Sequence, residues 1–82
     1  MEKQKIYEKL ITIIGEVSEI SDEKVTLEST FENLGIDLID CAVIMLEIES
    51  IFNISIPDYD KLITKKIELI VNYIEANYNN KL

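Results

Sequence analysis

Apolar residues recur at helical spacing in three segments of this 82-residue chain, and that periodicity constrains its fold more than any other feature. The segment from Lys3 to Val17 is predicted to be an amphipathic helix, because its apolar residues lie three or four positions apart with charges between them. Leu38 to Phe52 is also helical in pattern but apolar on more than one side, and a last helix is predicted from about Lys65 to Asn77. A chain of this length buries only one core, so residues 1–82 are predicted to form a single domain.

The segments between these helices differ in length. Ser18 to Leu34 has no sustained period and is predicted to be a long loop. The apolar side chains expected to hold this loop to the core are Val25, Leu27, Phe31 and Leu34. Asn53 to Ile56 is predicted to be a short extended stretch, and Pro57 to open a brief helical turn that ends near Leu62, since proline favours a first turn. Tyr78 to Leu82 is predicted to fray. The pattern therefore indicates an all-α fold with three long helices, a short third helix and a long first loop.

The residue types present exclude several kinds of catalytic site. The chain has no histidine and one cysteine, Cys41, so Ser–His and Cys–His nucleophile pairs cannot form. A single cysteine excludes an intramolecular disulfide and is too few for a metal cluster. The acids between Glu19 and Glu28 do not follow the calcium-loop pattern. We therefore predict no catalytic residue, no metal site and no enzymatic activity.

Acidic charge dominates the chain, with sixteen Asp and Glu against eight Lys and Arg and a net charge of −8. From Glu16 to Asp60 there are twelve acids and one base, Lys24. Such a field repels nucleic acid and would steer the chain towards basic patches on protein partners, although an acidic surface can equally serve solubility alone. Neither a signal peptide nor a membrane-spanning apolar run is visible, so a cytoplasmic location is expected.

Two motifs in register resemble the acyl carrier protein family. Residues 31–37, Phe-Glu-Asn-Leu-Gly-Ile-Asp, precede the second predicted helix, whose N-cap can be Asp37. Residues 46–52 and then Ile56-Pro57-Asp58 resemble the end of that helix in the family and the motif that follows it. The resemblance covers nearly the whole chain and implies a four-helix bundle of the carrier-protein type.

One departure from the family falls at its attachment position. In the family the aspartate is followed by a serine, whose hydroxyl is joined to phosphopantetheine through a phosphodiester. Here the resemblance places Leu38 at that position, and leucine has no oxygen; the nearest hydroxyls along the chain are those of Ser29, Thr30 and Ser50. The resemblance therefore implies that no cofactor is bound. Phosphopantetheine would be expected only if Leu38 stands in place of a serine of the natural protein, or if the group is attached by another route. Cys41 could in principle hold an acyl thioester, but a cysteine in an apolar helix is more often an inert core residue.

The second helix is expected to present apolar residues outwards. By resemblance its outward positions are Asp37, Ile39, Asp40, Val43, Leu46 and Ser50. The side expected to supply the core carries Ala42, Met45, Ile48 and Phe52. Leu38, Ile39, Val43 and Leu46 would then form an exposed apolar patch with an acidic rim, and such patches usually mark a binding surface. The alternative is that the helix rotates and buries more of itself. The residues predicted to bind a partner are Asp37, Leu38, Ile39, Asp40, Val43 and Leu46.

The leading functional hypothesis is a carrier-like docking module without its prosthetic group. Its predicted partners are enzymes of fatty-acid, polyketide or related thioester metabolism that offer basic and apolar docking patches. A working acyl carrier that uses phosphopantetheine is the first alternative. A self-associating structural domain, present as a monomer or weak homodimer, is the second. Paired acids such as Asp37 and Asp40 are expected to be cap and partner contacts, not catalysts.

Overall fold

The computed structural model describes residues 2–78, and within that range the chain forms four α-helices and no strand. The helices are α1 (Lys3–Ser18), α2 (Leu38–Phe52), α3 (Tyr59–Leu62) and α4 (Ile67–Tyr78). A single 3₁₀ turn, Asp22–Lys24, lies in the first loop. The predicted all-α bundle, with three long helices and a short third one, is confirmed.

The core lies between α1, α2 and α4, because α1 packs against both of the other long helices. Each long helix buries one apolar stripe at the spacing of three or four residues that helical geometry requires. The buried residues of α1 are Ile6, Leu10, Ile13 and Ile14, and those of α4 are Ile67, Ile70, Val71 and Ile74. Those of α2 are Cys41, Ile44, Met45, Ile48 and Phe52. Removal of these side chains from water drives the helices together.

The long first loop is held to the core by some of its apolar residues and not by others. Val25 and Phe31 are buried, and Leu34 is partly buried against the core. Leu27, however, is 42% exposed, so the prediction that it anchors the loop is wrong. Leu27 instead contributes its backbone carbonyl, which faces the start of α4.

The loop backbone caps α4. The Ile67 N–H donates to the Ser29 carbonyl at 2.8 Å, and the Glu68 N–H donates to the Leu27 carbonyl at 3.0 Å. The first N–H groups of a helix have no partner within it, so these two bonds satisfy donors that would otherwise need water. They explain why α4 begins at Ile67 and not at Lys65 as predicted.

The short segments between α2 and α4 differ slightly from the prediction. Asn53 ends α2 in the left-handed conformation with φ 55°, which asparagine adopts more readily than most residues. Residues 54–56 lie outside any helix or strand, and Ile54 and Ile56 are buried on either side of exposed Ser55, which agrees with the predicted extended stretch. Pro57 lies in a turn and α3 begins only at Tyr59, because the backbone of Asp58 at φ −105° and ψ 44° is not helical.

The last helix continues one residue further than predicted. Tyr78 belongs to α4 and its ring meets that of Phe52 edge to face, with centroids 6.3 Å apart. This packing contradicts the prediction that Tyr78 is frayed; the rest of that predicted tail, residues 79–82, lies outside the described residues. Among the described helices none is long and apolar enough to cross a membrane.

Candidate functional site

The start of α2 is fixed by a turn and a cap. Gly35 has φ 77°, a conformation that costs glycine little, and its N–H donates to the Glu32 carbonyl at 3.0 Å. Asp37 is the N-cap, and its carboxylate accepts the Asp40 N–H at 2.8 Å, as predicted. Leu38 is therefore the first helical residue, and its position at a capped helix end is well defined.

A row of apolar side chains on α2 faces solvent. Leu38 is 77% exposed, Ile39 75%, Val43 39% and Leu46 63%. We call these four residues the α2 patch. Positions 39, 43 and 46 form one stripe, and Leu38 joins it at the helix end. The prediction that these residues are exposed is confirmed, and α2 does not rotate to bury them.

The opposite side of α2 packs into the core. Of the residues predicted to supply it, Met45, Ile48 and Phe52 are buried, whereas Ala42 is only half-buried. Cys41 and Ile44 are buried as well, so the buried face of α2 includes both of them together with Met45. A helix buried on one side by five residues is firmly oriented, so the α2 patch is held outwards.

Carboxylates border the α2 patch, and two of them also stabilise the fold. Asp40 is half-buried and its carboxylate accepts the Ser18 hydroxyl at 3.2 Å, which ties the end of α1 to the start of α2. The Glu49 carboxylate accepts the Ile56 N–H at 2.7 Å. Asp37 and Glu47 are exposed at the surface. Because α2 contains no lysine or arginine, its outer surface is apolar in the middle and negative at the edges.

Tyr59 extends this surface from α2 to α3, although it was not among the residues predicted to bind a partner. It is exposed, and with Leu46, Ala42 and Glu49 it lines a small hollow of about 160 Å³. Its only sequence signal was its place two residues after Pro57. The facing direction of a one-turn helix depends on tertiary packing, so periodicity could not reveal it.

A larger cleft of about 700 Å³ opens at the start of α2. Its walls come from the end of the first loop, the first turn of α2 and the segment after α3. The ten lining residues are Thr30, Phe31, Glu32, Ile36, Asp37, Leu38, Ile39, Cys41, Ile63 and Thr64. Leu38 and Ile39 belong to both the cleft and the α2 patch, so the two features are continuous.

Cys41 lies among the buried residues that line this cleft. Its thiol donates a weak hydrogen bond to the Ile36 carbonyl, with the sulfur 3.8 Å from the oxygen. Burial raises the pKa of the Cys41 thiol above its ordinary value, and the nearby charges of Asp37 and Asp40 raise it further. The thiol therefore stays protonated at neutral pH, and a protonated thiol is a poor nucleophile.

The residues near the start of α2 do not fit a phosphopantetheine ester. The Leu38 side chain offers only hydrocarbon to solvent. Tertiary structure brings three hydroxyls towards this region, and each already has a hydrogen bond. Ser18 donates to Asp40, Thr30 accepts the Asn33 N–H at 3.0 Å, and Thr64 donates to the Lys61 carbonyl at 2.7 Å. None of the three occupies the exposed first position of a capped helix.

Known proteins similar to this chain are carriers. A family model described as "Phosphopantetheine attachment site" matches residues 8–74. The chain is 37% identical over 73 residues to an acyl carrier protein of Phytoplasma australiense, covering 88% of this chain and 96% of that protein. It is 35% identical over 73 residues to one of Rickettsia bellii (strain RML369-C), covering 88% and 85%. A 59-residue match to one of Guillardia theta, 42% identical, covers 71% of this chain and 73% of that protein.

The family-model match, residues 8–74, takes in most of α1, the long first loop, all of α2 and α3, and most of α4. These are the elements that position the α2 patch. Acyl carrier proteins are carriers and not enzymes, in agreement with the prediction made from the residue types. This chain is therefore a member of the acyl carrier protein family.

Proposed function

We propose that this chain is a carrier-like docking protein of fatty-acid, polyketide or related thioester metabolism that works through α2 without phosphopantetheine. The observation that carries the proposal is the identity of Leu38. It is the first residue of a capped helix and is 77% exposed, yet it has no atom that could form a phosphate ester.

The α2 patch supports a role in contact. Four large apolar side chains are exposed at the start and along one face of α2, although the same helix buries five other residues. Contiguous apolar surface of this kind is typical of binding sites, whereas single exposed apolar residues are ordinary. The patch would supply the apolar centre of an interface, and Tyr59 would enlarge it, since tyrosine is frequent among the residues that dominate binding energy.

The acidic rim supports a partner with a basic surface. Asp37 and Glu47 are exposed beside the patch, and the stretch from Glu16 to Asp60 carries eleven more negative than positive charges. Charge complementarity of this kind speeds association and fixes orientation more than it adds affinity. The proposed partners are thus enzymes of acyl or thioester metabolism whose docking patches are both basic and apolar.

The absence of a prosthetic group is tested by intact mass spectrometry. We expect the purified chain to keep its mass after incubation with coenzyme A and a broad-specificity phosphopantetheinyl transferase, because position 38 has no acceptor oxygen. A carrier protein with the family's serine, treated in parallel, should gain one phosphopantetheinyl group. A gain of that mass by the present chain would overturn the proposal and favour a working carrier.

Docking through α2 is tested by a matched pair of truncations. We expect Leu46→Ala to weaken binding to a partner enzyme by about 2 kcal/mol, roughly thirtyfold, because it removes a central apolar contact. Leu69→Ala is the control, since Leu69 is also an exposed helical leucine but lies on α4. Binding would be measured by surface plasmon resonance against a panel of purified fatty-acid-synthesis enzymes. Equal loss in both variants would exclude α2 as the docking surface.

A working acyl carrier is the second candidate, and the matches to the attachment-site model and to proteins named acyl carrier protein favour it. The mass experiment separates it from the docking protein. Sedimentation measurements test the remaining alternative, self-association through the α2 patch. Under the docking proposal we expect a monomer at high concentration, because pairing two such surfaces brings their acidic rims together.

A further inference from the structure

The cleft at the start of α2 is a feature that docking through the α2 patch alone does not use. Its volume of about 700 Å³ falls within the range of ~300–1,000 Å³ that is usual for binding pockets. Phe31, Ile36 and Cys41 line it with buried apolar groups, and the Cys41 thiol is neutral. The interior of the cleft therefore suits an apolar group.

The charges around the cleft determine what kind of apolar group it can take. Glu32 and Asp37 are its two ionisable rim residues with exposed side chains, and none of its ten described lining residues is a lysine or arginine. The head group of a fatty acid or another anionic amphiphile would lie beside two carboxylates without a cation to neutralise it. If the apolar group were instead flanked by cations, those cations would pair with both carboxylates.

We propose that the cleft receives a large apolar side chain of the docking partner, presented between lysine or arginine residues that pair with Glu32 and Asp37. This inference rests on the proposed docking function, because Leu38 and Ile39 line the cleft and also belong to the α2 patch. A partner segment that covers the patch thus reaches the cleft without a gap. Buried anchors of this kind usually dominate the affinity of an interface.

A second copy of this chain fits the cleft poorly. Each copy carries a net charge of −8, and its bases lie mainly near the two ends of the sequence. Around the cleft of one copy, the acidic stretch from Glu16 to Asp60 of another would add like charges to those of Glu32 and Asp37. The charge pattern therefore favours a different, basic protein.

The inference can be tested with a synthetic amphipathic peptide in which lysines flank a single tryptophan. The chain has no tryptophan, so the emission of the peptide reports directly on burial of its indole. We expect a blue shift on titration with the protein. As competitors, a peptide with alanine in place of tryptophan should bind roughly tenfold or more weakly, and a peptide with glutamate in place of lysine should not compete.

A matched pair of threonine variants locates the bound indole. Thr64 is exposed, donates to the Lys61 carbonyl and lines the cleft, so Thr64→Phe should occupy the cleft and weaken the peptide roughly tenfold. Thr12 is exposed and donates to the Glu8 carbonyl on α1, but it is not among the residues that line the cleft. We expect Thr12→Phe to bind the peptide as the unaltered chain does.

Four outcomes would overturn the inference, and they differ from failure of the docking proposal. The first is peptide binding that depends on Leu46 but is unaffected both by Thr64→Phe and by loss of the tryptophan; docking through α2 would then stand without a cleft anchor. The second is displacement of the peptide by the fatty-acid anion dodecanoate at a lower concentration than by the alanine-containing competitor peptide, which would make the cleft a site for anionic amphiphiles. The third is equal weakening by Thr64→Phe and Thr12→Phe. The fourth is the absence of any emission shift.

Discussion

Replacing Leu38 with serine is expected to give a chain that gains a single phosphopantetheinyl group, whereas under the docking proposal the unaltered chain gains none. Leu38 is the first residue of α2, follows the N-cap Asp37 and is 77% exposed, so a hydroxyl there would project into solvent from a well-defined helix end. The α2 surface around it is unchanged by the substitution. Intact mass spectrometry after incubation with coenzyme A and a broad-specificity transferase would measure the change, which should go from no modified protein to most of it.

The matched control for this experiment is Ile39→Ser. Ile39 is the next residue of α2 and is 75% exposed, so the new hydroxyl is equally accessible but points about 100° around the helix. We expect no modification of this variant. If Ile39→Ser were modified and Leu38→Ser were not, the register that places Leu38 at the attachment position would be wrong. If neither were modified, the α2 surface would lack the features that a transferase recognises.

Truncation of Phe31 is expected to cost more stability than any change on the α2 surface. Phe31 comes from the long first loop but is 1% exposed, and its ring is among the largest fully buried side chains. Phe→Ala substitutions in cores cost about 3–5 kcal/mol. Domains of this size have free energies of unfolding of roughly 4–12 kcal/mol, so Phe31→Ala should remove a large part of the stability. Urea unfolding followed by circular dichroism would measure the loss.

Leu27→Ala provides the comparison within the same loop. Leu27 contributes its carbonyl to the cap of α4, and alanine retains that carbonyl. Leu27 is 42% exposed and is not among the buried core residues, so truncation should cost less than about 1 kcal/mol. If the two variants unfolded at the same urea concentration, the loop would not be held to the core through Phe31. The long loop would then be better described as tied to the bundle by its backbone.

The two pairs of variants address different parts of the same molecule. Leu38 and Ile39 concern the surface that α2 presents, whereas Phe31 and Leu27 concern the loop that leads into it. Because the Phe31 carbonyl also accepts the Ile36 N–H at 3.0 Å, this loop holds the turn just before Asp37 in place. Loss of Phe31 packing should therefore disturb the start of α2, and the peptide test would be made only on variants that retain the unfolding midpoint.

Periodicity alone predicted most of the fold. The bounds of α2 were predicted correctly, and those of α1 and α4 to within two residues, because helical spacing of apolar residues is a local signal. The Asp37 cap was also predictable, since its partner is only three residues away. Exposure of the α2 patch was expected from the resemblance to the family, which implies the outward positions of α2. Periodicity did not indicate it, because α2 is apolar on more than one side.

The sequence by itself determined that position 38 is leucine, and therefore that its side chain cannot form a phosphate ester. Tertiary structure alone decided which distant groups meet around that position. Ser18 reaches Asp40, Ser29 and Leu27 cap α4, and Ile63 and Thr64 approach Leu38 to form the cleft. These contacts join residues more than twenty positions apart, whose approach depends on how whole helices and loops pack. Local patterns carry no information on such packing, so the helices could be predicted from the chain and the cleft could not.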